Sequence, residues 1–152
     1  MECPFCLPAI ARQIVRENEF CYAIWTEEVP VGSAMVLPKA HRGTVFDLTA
    51  QEWAATQHLL AELRVMIGRA HRPDGWNVGW NVEPVGGQSI PHAHCHLVPR
   101  YREEPLAGRG IRAWLKDPDN RPPQHAPLRT PSWRITVDAP AAEPCAPDVR
   151  SR

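Results

Sequence analysis

The chain has 152 residues, enough for one domain with a real core. Its 17 Lys+Arg balance 17 Asp+Glu, so no broad positive field draws it to nucleic acid or to an anionic membrane, and a phosphate-bearing ligand must be held by local donors. No apolar run is long enough to span a bilayer, and the start, MECPFCLPAI, lacks the basic segment and apolar stretch of a secretory signal; a cytoplasmic protein is expected.

In chain order, the first feature is a Cys3-x-x-Cys6 pair within an odd total of five cysteines. In a reducing compartment such a pair reads as metal-binding or redox-active before it reads as a structural disulfide. A thioredoxin-like role is disfavoured because no strand precedes the pair. AIARQIVREN (Ala9 to Asn18) predicts a short helix, with Pro8 near its first turn. FCYAIW (Phe20 to Trp25) and SAMVLP (Ser33 to Pro38) predict strands, joined through Pro30 and Gly32. A long helix follows Leu48: Thr49 and Glu52 form a capping-box pattern, and Trp53, Leu60, Leu63 and Ile67 recur at core-facing spacing. Gly68, or the Pro73-Asp74-Gly75 turn, ends it. WNVGWNV (Trp76 to Val82) alternates as a strand, and a Gly86-Gly87 turn leads to PHAHCH and LVPRY. Beyond Asp117 the chain is Pro-rich and weakly patterned, with WRITV (Trp133 to Val137) as a possible added strand.

PHAHCH, read as a β-strand, puts His92, His94 and His96 on one side and Ala93, Cys95 and Leu97 on the other, where the small apolar residues pack. The ends of that row lie about 13 Å apart, too far to share one ion without a bend. Neighbouring imidazoles disfavour one another's protonation, which keeps at least one neutral and nucleophilic near pH 7. Upstream, GGQS (Gly86 to Ser89) and Asn81 offer neutral donors suited to phosphate oxygens. Donors beside a nucleophilic imidazole point to attack on phosphorus, with direct metal binding and simple packing as the alternatives.

His92-Ala93-His94-Cys95-His96-Leu97-Val98 resembles the histidine triad signature that names the HIT superfamily of nucleotide hydrolases and transferases. Asn81, Gln88 and Ser89 stand at the family's offsets from the triad. VLPKAH (Val36 to His41) resembles its Ile-Pro-Lys-x-His segment, and CPFC resembles the amino-terminal pair of its zinc-containing members. VPRY with AGRGIRAWLK (Ala107 to Lys116) resembles a bacterial branch often labelled diadenosine polyphosphate hydrolase. The resemblance covers about Cys3 to Lys116. It implies a HIT domain at 1–116 followed by a Pro-rich extension at 117–152. The fold it implies is α+β, a mostly antiparallel five-stranded sheet with one long and one short helix, and it implies a homodimer.

The resemblance assigns His94 the attack on the α-phosphorus, through a nucleotidyl-histidine intermediate that water cleaves. It gives His96 a phosphate-contacting, supporting role, and Asn81, Gln88 and Ser89 phosphate and leaving-group contacts. It implies a structural zinc on Cys3, Cys6, His41 and His92. The substrate implied is a nucleoside phosphoanhydride or phosphoramidate such as a dinucleoside polyphosphate, with no membrane or specific nucleic acid as partner. A nucleotidyltransferase using the same intermediate, a zinc-stabilised nucleotide-binding module with little turnover, and a metalloenzyme using the histidine row directly are the alternatives. The chain departs from the pattern at WTEEVPVGS (Trp25 to Ser33), where Ser33 replaces the expected histidine and Trp25 or Thr26 the ribose-binding acid. His58, His71 and His125 are expected to be solvated; Arg109 and Arg112 are candidates to reach a polyphosphate, although surface arginines usually do not.

Overall fold

The computed structural model describes residues 3–27 and 30–120. The chain divides into two compact units, Met1–Ala113 and Trp114–Arg152; the sheet, its long helix and every site residue belong to the first. Five strands form one sheet in the order β1-β2-β3-β5-β4, and every neighbouring pair is antiparallel. They are β1 (Ile14–Glu17), β2 (Cys21–Trp25), β3 (Ala34–Pro38), β4 (Gly75–Trp80) and β5 (Cys95–Arg100). The architecture is the expected α+β sheet with one long helix.

The amino-terminal helix predicted over Ala9 to Asn18 does not form. A single 3₁₀ turn at Ala11–Gln13, without a side-chain cap at Ile10, gives way to β1. Ile14 and Val15 are β-branched and lose rotamer freedom in a helix, while β2 offers antiparallel pairing, Ile14 opposite Ile24. Asn18 shapes the turn between them: its Oδ1 accepts the Phe20 and Cys21 amides, and its Nδ2 donates to the Ala55 carbonyl.

The sheet is covered on both faces, which explains why β2 is buried at consecutive positions rather than at alternate ones. Cys21 and Ala23 join Ala34, Val36, Cys95 and Leu97 against Leu59, Leu63 and Ile67 of the long helix. Tyr22, Ile24 and Leu37 face the other way and pack with Ile10, Phe5 and Ile14 of the amino-terminal segment. By the same alternation Trp25 lies on the helix side of the sheet.

Helix α1 (Ala50–His71) starts at Thr49, whose hydroxyl accepts the Glu52 amide while the Glu52 carboxylate accepts the Thr49 amide. It ends one turn past Gly68, where Arg72 adopts the left-handed conformation, φ 49°, and donates to the Gly68 carbonyl. Trp53 corrects an expectation. It is not in the core but 46% exposed, stacked on Trp80 at 6.1 Å between ring centroids. The helix presents Ala55, Thr56, Leu59, Leu60, Leu63 and Ile67 to the sheet instead, a stripe that leaves Trp53 at its edge.

His58 and His71 are exposed, as expected. His71 lines a cavity of about 210 Å³ with Trp25, Thr26, Gly32 and Ser33. Helix α2 (Arg112–Leu115) and a 3₁₀ turn at Pro118–Asn120 close the described chain. The strand expected at 133–137, His125 and most of the expected extension lie outside the described residues. Among the described residues no helix is long and apolar enough to cross a membrane.

Candidate active site and metal centre

The histidines are not a continuous strand row. β5 begins only at Cys95; Ile90 to His92 form a bend, and Ala93 and His94 lead irregularly into the strand. The reason lies in the hydrogen bonds. The His92 amide donates back to the Ile90 carbonyl at 2.8 Å, and the Ala93 amide donates to the Arg42 carbonyl at 2.6 Å rather than to a sheet neighbour. Strand pairing on both sides stops at Cys95, opposite Val36 of β3 and Trp80 of β4. Alternation survives for Cys95, His96 and Leu97: Cys95 and Leu97 pack toward α1, and His96 points to the other face. Ala93 is buried, as expected of a packing residue, but so are His92 and His94, at 0% and 5% exposure.

The bend supplies the freedom a straight strand lacks, and it turns His92 toward the amino terminus. Its Nδ1 lies 3.4 Å from Cys3 Sγ and 3.6 Å from Cys6 Sγ, and Cys6 Sγ lies 3.4 Å from His41 Nδ1. The four ligand atoms of Cys3, Cys6, His41 and His92 fall within 4.8 Å of one another, a set that can hold a metal ion. The two thiols converge because the Cys6 amide closes a turn onto the Cys3 carbonyl at 3.1 Å. The turn is fastened to the sheet by buried Tyr22, whose hydroxyl donates to the Phe5 carbonyl.

His92 Nε2–H donates to the Pro38 carbonyl at 2.9 Å, which fixes the tautomer and leaves the Nδ1 lone pair toward the sulfurs. Burial, with the His41 and His94 rings close enough to oppose a charge on it, holds the His92 imidazole below its ordinary pKa against the opposing Pro38 bond, which favours the neutral form able to ligate. Burial and the neighbouring Cys3 push the Cys6 thiol up, a pressure that a bound cation reverses.

His94 is held the opposite way round. Its Nδ1 lies 2.8 Å from the His92 carbonyl, and a carbonyl can only accept, so Nδ1 carries the proton and Nε2 the lone pair. The His94 ring meets the His96 ring at 4.9 Å and the Phe5 ring at 5.6 Å, both edge to face. Phe5 also packs on His92 at 6.2 Å, so the turn between the two cysteines reaches both histidines.

The remaining expected residues separate. Asn81 and Ser89 are exposed, with side chains accessible to a ligand. Asn81 sits against Gly87, where a Cβ would lie 3.6 Å from its amide group and φ is +92°, a conformation that suits glycine. Gln88 is buried and committed to backbone. Its Nε2 donates to the Gly43 and Ile90 carbonyls at 2.7 and 3.1 Å, and its Oε1 accepts the Glu83 amide at 2.9 Å. Ser33, at the departure from the family pattern, closes its own turn by donating to the Pro30 carbonyl at 2.6 Å. Arg109 is exposed, and its carbonyl accepts from Arg100.

Sequence reasoning gave no role to Phe5, Tyr22 or Arg42. Only Phe5 left a signal, its place between the cysteines; Tyr22 acts through a hydroxyl whose partner, the Phe5 carbonyl, no side-chain pattern records, and Arg42 through its own carbonyl and an ion pair with Glu52.

A model of the HIT domain matches residues 8–103. The chain belongs to the HIT domain family. Within it, the chain is 30% identical over 107 residues to an uncharacterized HIT-like protein of Synechococcus elongatus, covering 69% of this chain and 85% of that one. It is 27% identical over 97 residues to bis(5'-adenosyl)-triphosphatase of Saccharomyces cerevisiae, covering 61% of this chain but 46% of the yeast protein, so it spans less than half of that relative. Among solved structures it resembles a member of the HIT family of proteins from Bacillus subtilis, at 30% identity and TM-score 0.61, covering 68% of this chain and 76% of that one. The HIT match begins at residue 8, so Cys3 and Cys6 lie outside it, and the metal centre rests on its own geometry.

Proposed function

We propose that this HIT protein is a nucleotide hydrolase acting on a nucleoside phosphoanhydride or phosphoramidate, such as a dinucleoside polyphosphate, through His94. The hydrogen bond from His94 Nδ1–H to the His92 carbonyl carries this reading, because it reserves the Nε2 lone pair for phosphorus. Nε2 attacks the α-phosphorus, and the bond to the leaving phosphate or amine breaks with its electron pair, the amine taking up a proton from solvent as it leaves. Water then attacks the same phosphorus and releases its proton to solvent, the P–N bond breaks, and its electrons return to Nε2. His96, ring to ring with His94, contacts the phosphate, and the exposed Asn81 and Ser89 donate to its oxygens. Gln88 serves this site by holding the loop rather than by touching phosphate, since both of its amide hydrogens are in use.

Zinc is the metal that Cys3, Cys6, His41 and His92 would hold in this reading. Bond lengths of about 2.3 Å to sulfur and 2.0–2.1 Å to nitrogen give a tetrahedral sulfur–nitrogen edge of about 3.5 Å. Three of the four sulfur–nitrogen separations, at 3.4, 3.4 and 3.6 Å, match it, and all four ligand atoms lie within 4.8 Å of one another. Two thiolates and two imidazoles close the coordination sphere, so zinc would supply cross-linking rather than chemistry. Thiols kept reduced for that purpose suit a cytoplasmic setting. The reading includes a homodimer joined at the β4 edge, where Val78 and the Trp53–Trp80 stack leave apolar surface exposed.

Incubation with a labelled adenylyl donor tests the chemistry. An acid-labile adduct is expected on wild type and absent from His94→Ala at undiminished metal content. Hydrolysis at the wild-type rate in that variant would remove the covalent mechanism. Products resolved in water alone, or only with an added acceptor, separate hydrolase from transferase.

A further inference from the structure

One peptide unit, between His92 and Ala93, sits at the centre of the site. Its carbonyl accepts from His94 Nδ1 at 2.8 Å, and its amide donates to the Arg42 carbonyl at 2.6 Å. The plane of that peptide is therefore set on one side by Arg42 and read on the other by His94. A peptide polarised by donating is also a better acceptor.

Arg42 is itself anchored. Its Nε–H is shared by both carboxylate oxygens of Glu52, at 3.0 and 3.1 Å, and Glu52 is 4% exposed on the first turn of α1. Burial alone would raise the Glu52 carboxyl, but the Thr49 amide and Arg42 together bring it below its ordinary value, so the charge is kept. Helix capping does not require the arginine, because the Glu52 carboxylate already accepts the Thr49 amide at 2.7 Å. What Arg42 adds is a fixed backbone for residues 41–43. From that segment His41 joins the metal cluster, the Arg42 carbonyl takes the Ala93 amide, and the Gly43 carbonyl takes the Gln88 amide group at 2.7 Å. Both ends of the 88–93 turn hang on it.

We infer that Arg42 and Glu52 are positioning residues for the active site: the ion pair ties the helix start to the 41–43 segment, whose Arg42 carbonyl orients the 92–93 peptide and so selects the His94 tautomer. The inference rests on the reading of His94 as nucleophile. A peptide that rotates loses its grip on Nδ1–H, and the share of rings with a free Nε2 lone pair falls. The exposed phosphate donors are untouched.

The test compares Arg42→Met, Arg42→Lys, Glu52→Gln and the Arg42→Met/Glu52→Gln pair, each with its metal content and Tm measured. Arg42→Met is expected to lower kcat about ten- to a hundredfold with KM within about twofold. Arg42→Lys, which keeps the ion pair, should recover most of that loss. Glu52→Gln keeps the helix cap and should lose less than Arg42→Met, and the double variant should lose no more than Arg42→Met alone. Glu52→Gln carries the test should Arg42→Met not fold. The second readout is ¹⁵N NMR of histidine-labelled protein at fixed pH: His94 is expected as the Nδ1–H tautomer in wild type and as a mixture in Arg42→Met. Wild-type kcat and ring signals in Arg42→Met would overturn the inference. So would a kcat loss that tracks metal loss, which would place the effect on His41. An absence of adduct in wild type would instead refute the His94 mechanism, while the tautomer signals still decide the role of Arg42.

Discussion

With zinc bound as proposed, removing the metal should cost this protein a large part of its stability. The ion would tie Cys6 to His41 across 35 positions and Cys3 to His92 across 89, joining the amino-terminal turn to the end of β3 and the entry to β5. Treated as cross-links, such loops restrict the unfolded chain by about 3.8 and about 4.6 kcal/mol respectively, and because the loops overlap the sum is an upper bound. The smaller value alone should lower Tm by roughly 15 °C at about 4 °C per kcal/mol. The assay is calorimetry of zinc-loaded protein against chelated protein, with Cys6→Ser as a second route to the same state. Stabilisation should rise with free zinc in the way expected of a ligand bound only by the folded state. Coincident melts with and without chelator, at a measured stoichiometry of one zinc, would refute the cross-linking account.

Tyr22→Phe removes the donor to the Phe5 carbonyl and should cost about 0.5–1.5 kcal/mol in urea unfolding, with weaker metal retention in a competition titration. Thr49→Ala strips the cap of α1 and should cost about 1 kcal/mol by the same measurement. Glu52 is held below its unfolded pKa, so its contribution is present above the ordinary carboxylate range and lost as pH falls through the lowered value. Glu52→Gln should therefore flatten the acid limb of a stability–pH curve, and an unchanged limb would count against the pairing. Trp53→Ser should weaken self-association in sedimentation velocity if the β4 edge joins two copies, and an unaltered sedimentation coefficient would place the contact elsewhere.

Several elements were legible in the residues because their signals are local. Thr49 and Glu52 announced the start of α1 through a reciprocal cap, and Leu60, Leu63 and Ile67 marked its buried stripe. The strands at Cys21–Trp25 and Ala34–Pro38 followed from short apolar runs bounded by turn residues. Where the local pattern and the sheet disagreed, the sheet won. Ile14 and Val15 fit a helical pattern as well as a strand, and only the edge offered by β2 decided between them. Trp53 kept the right period but the wrong neighbourhood, since the width of the face that the sheet covers is not written in the helix itself.

The histidines divide along the same line. Their identity and spacing came from the sequence, and the resemblance to the HIT superfamily that these carry implied that one cluster serves a metal and another a reaction. The bend at Ile90 to His92 did not, because the path from it into β5 is set by carbonyls of Arg42 and Ile90 that no side-chain code records. The sequence by itself determined which imidazoles and thiols are present. Only the tertiary structure decided which nitrogen of each ring carries its proton: the Pro38 carbonyl leaves the lone pair of His92 on Nδ1, toward Cys3 and Cys6, and the His92 carbonyl leaves that of His94 on Nε2. A ring nitrogen's proton goes to the nearest fixed acceptor, and in this site both acceptors are backbone atoms positioned by the fold.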